Sequence, residues 1–297
     1  MLSQGHRSLQ TRRYIGRINT RQCASSSCPS PNTTTTLRMT ISPADTVTAT
    51  LLYFSPPADG SKPHTYINVE PSRPQRNWEK VPHQVRIENI RGREGSVSLD
   101  ATGFQYFRRA ATHTAFDNDE AVEREYYSES IALVKELTGA SRVVVFDHSE
   151  SSDLRSLRPP SRSHLTPPAA IRRRRPGDPE DNPQKRKPVA QVHIDQTPTS
   201  AAARVRRHLP AADADAILSA GTRFQVINLW RPISRPAWDW PLALCDGRSV
   251  DATADLVPTT LKYPDRDGET FSVKFNEGHK WKYLRGMEPD ELVLIKW

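Results

Sequence analysis

Pro188-Val-Ala-Gln-Val-His-Ile-Asp-Gln-Thr-Pro198 is bounded by prolines and reads as a short β-strand, Val189 to Ile194, running into His193-Ile194-Asp195. Residues two apart on a strand share a face, so the His193 imidazole and the Asp195 carboxylate project together while Ile194 packs behind them. One imidazole and one carboxylate side by side are two thirds of the two-histidine, one-carboxylate set of a non-haem Fe(II) site. A His-x-Asp triplet alone is a weak signal, because three residues recur by chance and a solvated strand end carries the same pattern. The rest of the chain has to decide.

On the C-terminal side, Ser200 to His208 reads as a short helix bearing Arg204, Arg206 and Arg207, and Phe224-Gln-Val-Ile-Asn-Leu-Trp230 as a strand that delivers Arg231. A turn-rich aromatic loop follows, then strands at Leu242–Cys245, Phe271–Phe275, Trp281–Leu284 and Glu291–Trp297, with the Phe271 and Trp281 strands expected to pair with each other. On the N-terminal side, Val47–Phe54 is a β-branched and aromatic run, Tyr66–Val69 a shorter one, and Val85–Ile90 alternates as a half-buried strand does. Thr114 to Thr138 has helical spacing at Val122, Tyr126, Tyr127, Ile131, Val134 and Leu137. Asp117 or Asp119 serves as cap and Gly139 as the stop. Ser141–His148 has a buried-strand pattern, with His148 as a hydrogen-bonded strand-end histidine or a pocket residue. Many short strands and few helices give a mainly β fold with flanking helices, a barrel or sandwich.

Composition narrows the class. The 297 residues carry a net charge of +8, 25 prolines and only 36% hydrophobic residues, so part of the chain is irregular. The basic residues concentrate in the N-terminal arm, in Arg172-Arg-Arg-Arg175 and in Lys185-Arg-Lys187. Local charge runs of this kind are usually solvated, and no RNP, zinc-finger or helix-turn-helix signature accompanies them, so no nucleic-acid partner is expected. Cys23, Cys28 and Cys245 make neither a disulfide framework nor a zinc set, which fits a reducing compartment. No apolar run is long enough to cross a bilayer, so no membrane partner is expected either. Residues 1–38, rich in Arg, Ser and Thr and free of acidic residues, read as a disordered or targeting-like extension. This makes the expected location cytoplasmic, with a mitochondrial address left open. Residues 149–170 lose all periodicity and read as a disordered insertion in the domain 39–297.

From Met39 to Lys296 the chain resembles the fungal hydroxylase/desaturase family of secondary metabolism, typified by the aspergillic acid cluster hydroxylase and gibberellin desaturase. The resemblance rests on Tyr126-Tyr-Ser-Glu129, Thr138-Gly-Ala140 with Val145-Phe-Asp-His148, Arg173-Arg-Arg-Pro-Gly177 and Val192-His-Ile-Asp-Gln-Thr-Pro198. It continues in Asn228-Leu-Trp-Arg-Pro232, Asp239-Trp-Pro-Leu-Ala-Leu-Cys-Asp246, His279-Lys-Trp281 and Pro289-Asp-Glu-Leu-Val-Leu-Ile-Lys296. It implies a double-stranded β-helix, or jelly roll, with His193 and Asp195 as ligands of Fe(II), 2-oxoglutarate as co-substrate, and hydroxylation or desaturation of a small molecule by dioxygen. The family text continues past the strand matching Leu292–Lys296 into a Pro-His motif with the distal iron ligand and an Arg-x-Ser segment. In this sequence that strand is followed only by Trp297. The core is therefore expected to be incomplete at its C-terminus, and a catalytically inactive remnant is the alternative to an active oxygenase. Arg231 is the cation left to pair with a carboxylate, or else a loop-anchoring salt bridge. His279, in the His-Lys-Trp motif, is a pocket residue or a substitute ligand. Substrate identity and oligomeric state are left open.

Overall fold

The computed structural model describes residues 45–67, 74–116, 119–146, 189–219, 222–238 and 240–297. The arm 1–38 with Cys23 and Cys28, His148, the stretch 149–170 and both basic runs between Arg172 and Lys187 lie outside the described residues.

The first of three sheets has the order β1-β3-β10-β7. Its β1 (Thr46–Ser55) pairs antiparallel with β3 (Glu79–Asn89) over ten residues, from Thr46 opposite Glu88 to Ser55 opposite Glu79. The strand β10 (Trp281–Tyr283) runs parallel to β3 and antiparallel to β7 (Ala243–Cys245). The second sheet places β11 (Glu291–Lys296) between β4 (Phe104–Arg108) and β6 (Ile227–Trp230), both antiparallel to it. The third has β2 (His64–Tyr66) parallel to β8 (Leu256–Lys262), then β9 (Asp267–Val273) and β5 (His193–Ile194).

Apolar alternation fills the space between them. Tyr53, Val85, Ile87, Val192, Val273, Trp281 and Tyr283 form one core where the first sheet meets the third. Ile90, Val97, Phe104, Tyr106, Leu244, Leu284, Met287 and Val293 form another between the first and second. The run Leu292-Val-Leu294 is 0% exposed because β11 is covered on both faces: Val293 enters that second core, whereas Leu292 and Leu294 pack with Leu133 of the helix Tyr127–Thr138. At the buried start of β11, Glu291 accepts from Arg91 Nη2 at 2.9 Å, Arg108 Nη2 at 3.1 Å and the Glu288 N–H at 2.8 Å. Burial alone would raise this carboxyl, but those donors outweigh it and hold Glu291 at about 2.

Several expectations are corrected. The helix begins at Asp119, not Thr114: α1 (Asp119–Ala121) passes through a π-helical segment, Val122–Tyr126, into α2 (Tyr127–Thr138). The wider turn lets the adjacent Tyr126 and Tyr127 both face inward. Gly139, at φ 69°, closes the helix as read from the sequence, its N–H reaching the Lys135 carbonyl in a left-handed cap. Residues 141–146 form no strand. Their apolar side chains find partners on the helices instead, Val145 against the Tyr126 cluster and Phe146 stacked on His208 beneath Arg204. The Phe271 and Trp281 segments do not pair, because the tight turn from Tyr263 to Arg266 closes β9 onto β8 and leaves β10 to β3 and β7. Three elements had no reading: β4, β8 and α4 (Ala211–Ser219). The helix after the His-x-Asp stretch is present as α3 (Pro198–His208). No helix among the described residues is long and apolar enough to cross a membrane.

Candidate metal centre and its cleft

The strand expected over Val189–Ile194 is split between two sheets. The Leu52 N–H reaches the Ala190 carbonyl at 3.0 Å and the Val192 N–H reaches the Leu52 carbonyl at 2.9 Å, tying the segment to the edge strand β1. One residue later the chain changes partner: His193 pairs opposite Ser272 and Ile194 opposite Phe271 on β9. Only His193–Ile194 remains as ladder, since a chain crossing from one sheet edge to another keeps neither partner for long. Ile194 packs toward the Tyr53–Trp281 core, and its carbonyl accepts from Thr270 Oγ1 at 2.5 Å. Thr197 then caps α3, its side chain accepting from the Ser200 N–H while Ser200 Oγ accepts from the Thr197 N–H. His193 and Asp195 therefore sit on a short span fastened at both ends.

The strand parity holds. His193 Nε2 lies 3.3 Å from Asp195 Oδ1, with the side chains 39% and 42% exposed. The Gln191 carbonyl lies 2.8 Å from His193 Nδ1 and can only accept, so Nδ1 carries a proton and the ring is turned with Nε2 beside the carboxylate. Asn228 Nδ2 donates to Asp195 Oδ2 at 3.0 Å, which turns Oδ1 toward the histidine. An imidazole oriented through its far nitrogen by a carbonyl, beside an oriented carboxylate, is the donor chemistry of a metal-ligand pair. Imidazole and carboxylate suit Fe(II) in particular. Among the described residues no group of three or more His, Cys, Asp and Glu is able to hold a metal ion, so the described donors are these two.

One cleft brings the sequence candidates together: His193, Asp195, Arg231 and His279 all line it. They differ in what they are free to do. The His279 ring is held at both nitrogens, Nε2 at 3.0 Å from Asp255 Oδ2 and Nδ1 at 3.2 Å from the Tyr53 hydroxyl, and it stacks on the Tyr53 ring. Trp281 Nε1 donates to the same hydroxyl at 2.9 Å, so the Tyr53 proton goes to Nδ1 and the His279 proton to Asp255. Burial pushes the Tyr53 phenol up to about 12. Burial would also raise Asp255, but the Asp251 N–H, Asn276 and His279 hold that carboxyl below its ordinary value. Both ring nitrogens of His279 are thus engaged within this network.

Arg231 follows directly on β6, three residues beyond Asn228, about 10 Å along an extended chain. It forms no ion pair among the described residues, so the loop-anchoring salt bridge is not seen there. Its guanidinium carbon lies 5.8 Å from the Tyr126 ring centre. Two contributors escaped sequence reasoning. Asn228 orients Asp195, and a lone amide inside the apolar run Val226-Ile-Asn-Leu-Trp230 was its signal. Tyr126, read as core, is core on one side and cleft wall on the other.

Residues 51–297 match the family model described as "Oxidoreductase/YMDC permease-like domain". The Fe(II)/2-oxoglutarate-dependent dioxygenase nvfI of Aspergillus novofumigatus is 32% identical over 82% of this chain and 81% of its own length. The hydroxylase/desaturase efuI of Hormonema carpetanum is 36% identical over 84% of this chain and 82% of its own. The solved structure of the iron and alpha-ketoglutarate-dependent endoperoxidase NvfI superposes with a TM-score of 0.67 over 85% of this chain and 84% of that one. Identity is 26% in the superposed positions, lower than the sequence-based figure because position in space rather than residue match sets the pairing. The three-sheet core is thus the jelly roll of that enzyme, and the chain belongs to the fungal family of Fe(II)/2-oxoglutarate-dependent dioxygenases and hydroxylase/desaturases.

Proposed function

We propose that the protein is an oxidoreductase that hydroxylates or desaturates a small secondary-metabolite substrate with Fe(II), 2-oxoglutarate and dioxygen, and that His193 and Asp195 hold the metal. The observation that carries this reading is the pair itself, 3.3 Å apart at the cleft and oriented from behind by the Gln191 carbonyl and Asn228. When bound, the iron supplies oxidation of a substrate C–H bond coupled to conversion of 2-oxoglutarate to succinate and carbon dioxide. The chain's own residues bind and orient. Gln191 fixes the His193 ring through Nδ1 so that Nε2 is the atom offered to a metal, Asn228 keeps Asp195 Oδ1 turned to the same point, and the aromatic walls of the cleft keep water from the substrate. A cytoplasmic setting completes the reading, in keeping with a chain that carries three cysteines and no disulfide framework.

The test is metal binding together with turnover. Titration with Co(II) as a redox-inert probe saturates the wild type. Asn228→Ala weakens it by about 10- to 100-fold, the usual cost of losing a residue that orients a ligand, and His193→Ala weakens it further. Succinate formation from 2-oxoglutarate disappears in His193→Ala. Unchanged metal affinity in that variant rejects His193 as a ligand, and absence of succinate from the metal-loaded wild type favours the inactive remnant.

A further inference from the structure

Arg231 is the one described arginine whose burial has no counterpart. It is 8% exposed, and its Nε and Nη1 are both buried without a hydrogen-bond partner. A buried cation without an anion costs several kcal/mol, so such groups ordinarily arrive paired. The carboxylates on the neighbouring helix are committed elsewhere: Glu125 takes His113 Nδ1 and Arg124, and Glu129 takes the backbone N–H groups of Thr112 and His113. Arg231 lines the cleft with its guanidinium carbon 5.8 Å from the Tyr126 ring centre, and Phe116, Tyr127 and Val145 pack with that ring into an apolar neighbourhood. Burial raises the Tyr126 phenol while Arg231 draws it down, which places its hydroxyl within the field of the guanidinium.

We propose that Arg231, assisted by the Tyr126 hydroxyl, is a carboxylate-binding site in the cleft wall, and that its apolar surround selects an acid carried on an apolar body. The planar fork of the guanidinium matches the two oxygens of a carboxylate, a neutral phenol adds one further donor, and the aromatic rings take the hydrocarbon. A bound carboxylate then supplies the anion that no described residue provides. This deepens the oxygenase reading by naming a chemical feature of what enters the cleft, yet it does not depend on the metal.

The test compares acids with their neutral amides on the full chain by isothermal titration calorimetry. Cyclohexanecarboxylate binds about tenfold or more tightly than cyclohexanecarboxamide, the scale of hydrogen bonds to a charged group. Arg231→Gln removes that preference, Arg231→Lys keeps part of it and Tyr126→Phe reduces it severalfold, with far-UV circular dichroism confirming that each variant is folded. His193→Ala leaves the preference intact, so a failed iron site and a failed carboxylate site give different results. Succinate and 2-oxoglutarate, run against succinamide, identify the source. An Arg231-dependent preference confined to these dicarboxylates keeps the carboxylate site but moves it to the co-substrate and overturns the apolar selectivity. Equal binding of acid and amide by the wild type, or a preference that survives in folded Arg231→Gln, overturns the site itself.

Discussion

Two histidine–aspartate pairs have nearly the same separation and differ in everything else. His193 and Asp195 are 3.3 Å apart with side chains 39% and 42% exposed. His279 and Asp255 are 3.0 Å apart with side chains 2% and 5% exposed. The second pair is enclosed by Tyr53 and Asn276, which hydrogen-bond to it, and by Trp281, which donates to the Tyr53 hydroxyl. The first is oriented by a carbonyl at His193 Nδ1 and an amide at Asp195 Oδ2, with both side chains well exposed. Spacing alone says nothing of role. What separates the two pairs is exposure: the first stands where a ligand can reach its donor atoms, and the second is sealed inside the core.

The sharpest way to break that contrast is His279→Ala. It strips a hydrogen-bond donor from a buried carboxylate and an acceptor from the Tyr53 hydroxyl, and it opens a cavity, at a combined cost of about 3 kcal/mol in urea denaturation. A loss under about 1 kcal/mol means that this pair, too, is open to exchange with solvent. The second test extends the enclosed region to Glu291. Its folded carboxyl, at about 2, lies below the ordinary 4.5, so its contribution is fully present above pH 4.5 and is lost as pH falls toward 2. Because Arg91 and Arg108 are partly exposed, we expect about 2 kcal/mol over that window rather than the full value of the shift. Glu291→Gln flattens the acid limb. The smallest effect belongs to the open pair: His193→Ala changes stability by no more than about 0.5 kcal/mol while metal binding collapses.

How much of this was readable follows from how local each cause is. The orientation of His193 and Asp195 depends on strand parity, a property of adjacent residues, and it held although most of the expected strand did not form. The run Glu291-Leu-Val-Leu-Ile-Lys296 shows its burial directly, since a strand covered on both faces has no polar alternation. By contrast, β8 hides behind Pro258 and two threonines, and α4 is an Ala/Asp segment with little apolar stripe. The partner of the Trp281 strand was misassigned because pairing depends on distant segments competing for it, and β3 lies nearly two hundred residues away. That Arg231 has no ion-pair partner among the described residues was beyond reading for a related reason: it depends on which carboxylates the fold brings near.

The crossing of the 190–194 segment from β1 to β9 has an evolutionary consequence. Backbone bonds to Leu52 on one side and to Phe271 and Ser272 on the other clamp both ends of a five-residue span. Side chains within it can be exchanged one at a time at modest cost. Length cannot, because a one-residue insertion or deletion inverts the parity of all that follows and turns His193 and Asp195 away from the cleft together. Drift in this segment is therefore confined to substitutions, and relatives that keep the site are expected to keep the count of residues between the two clamps.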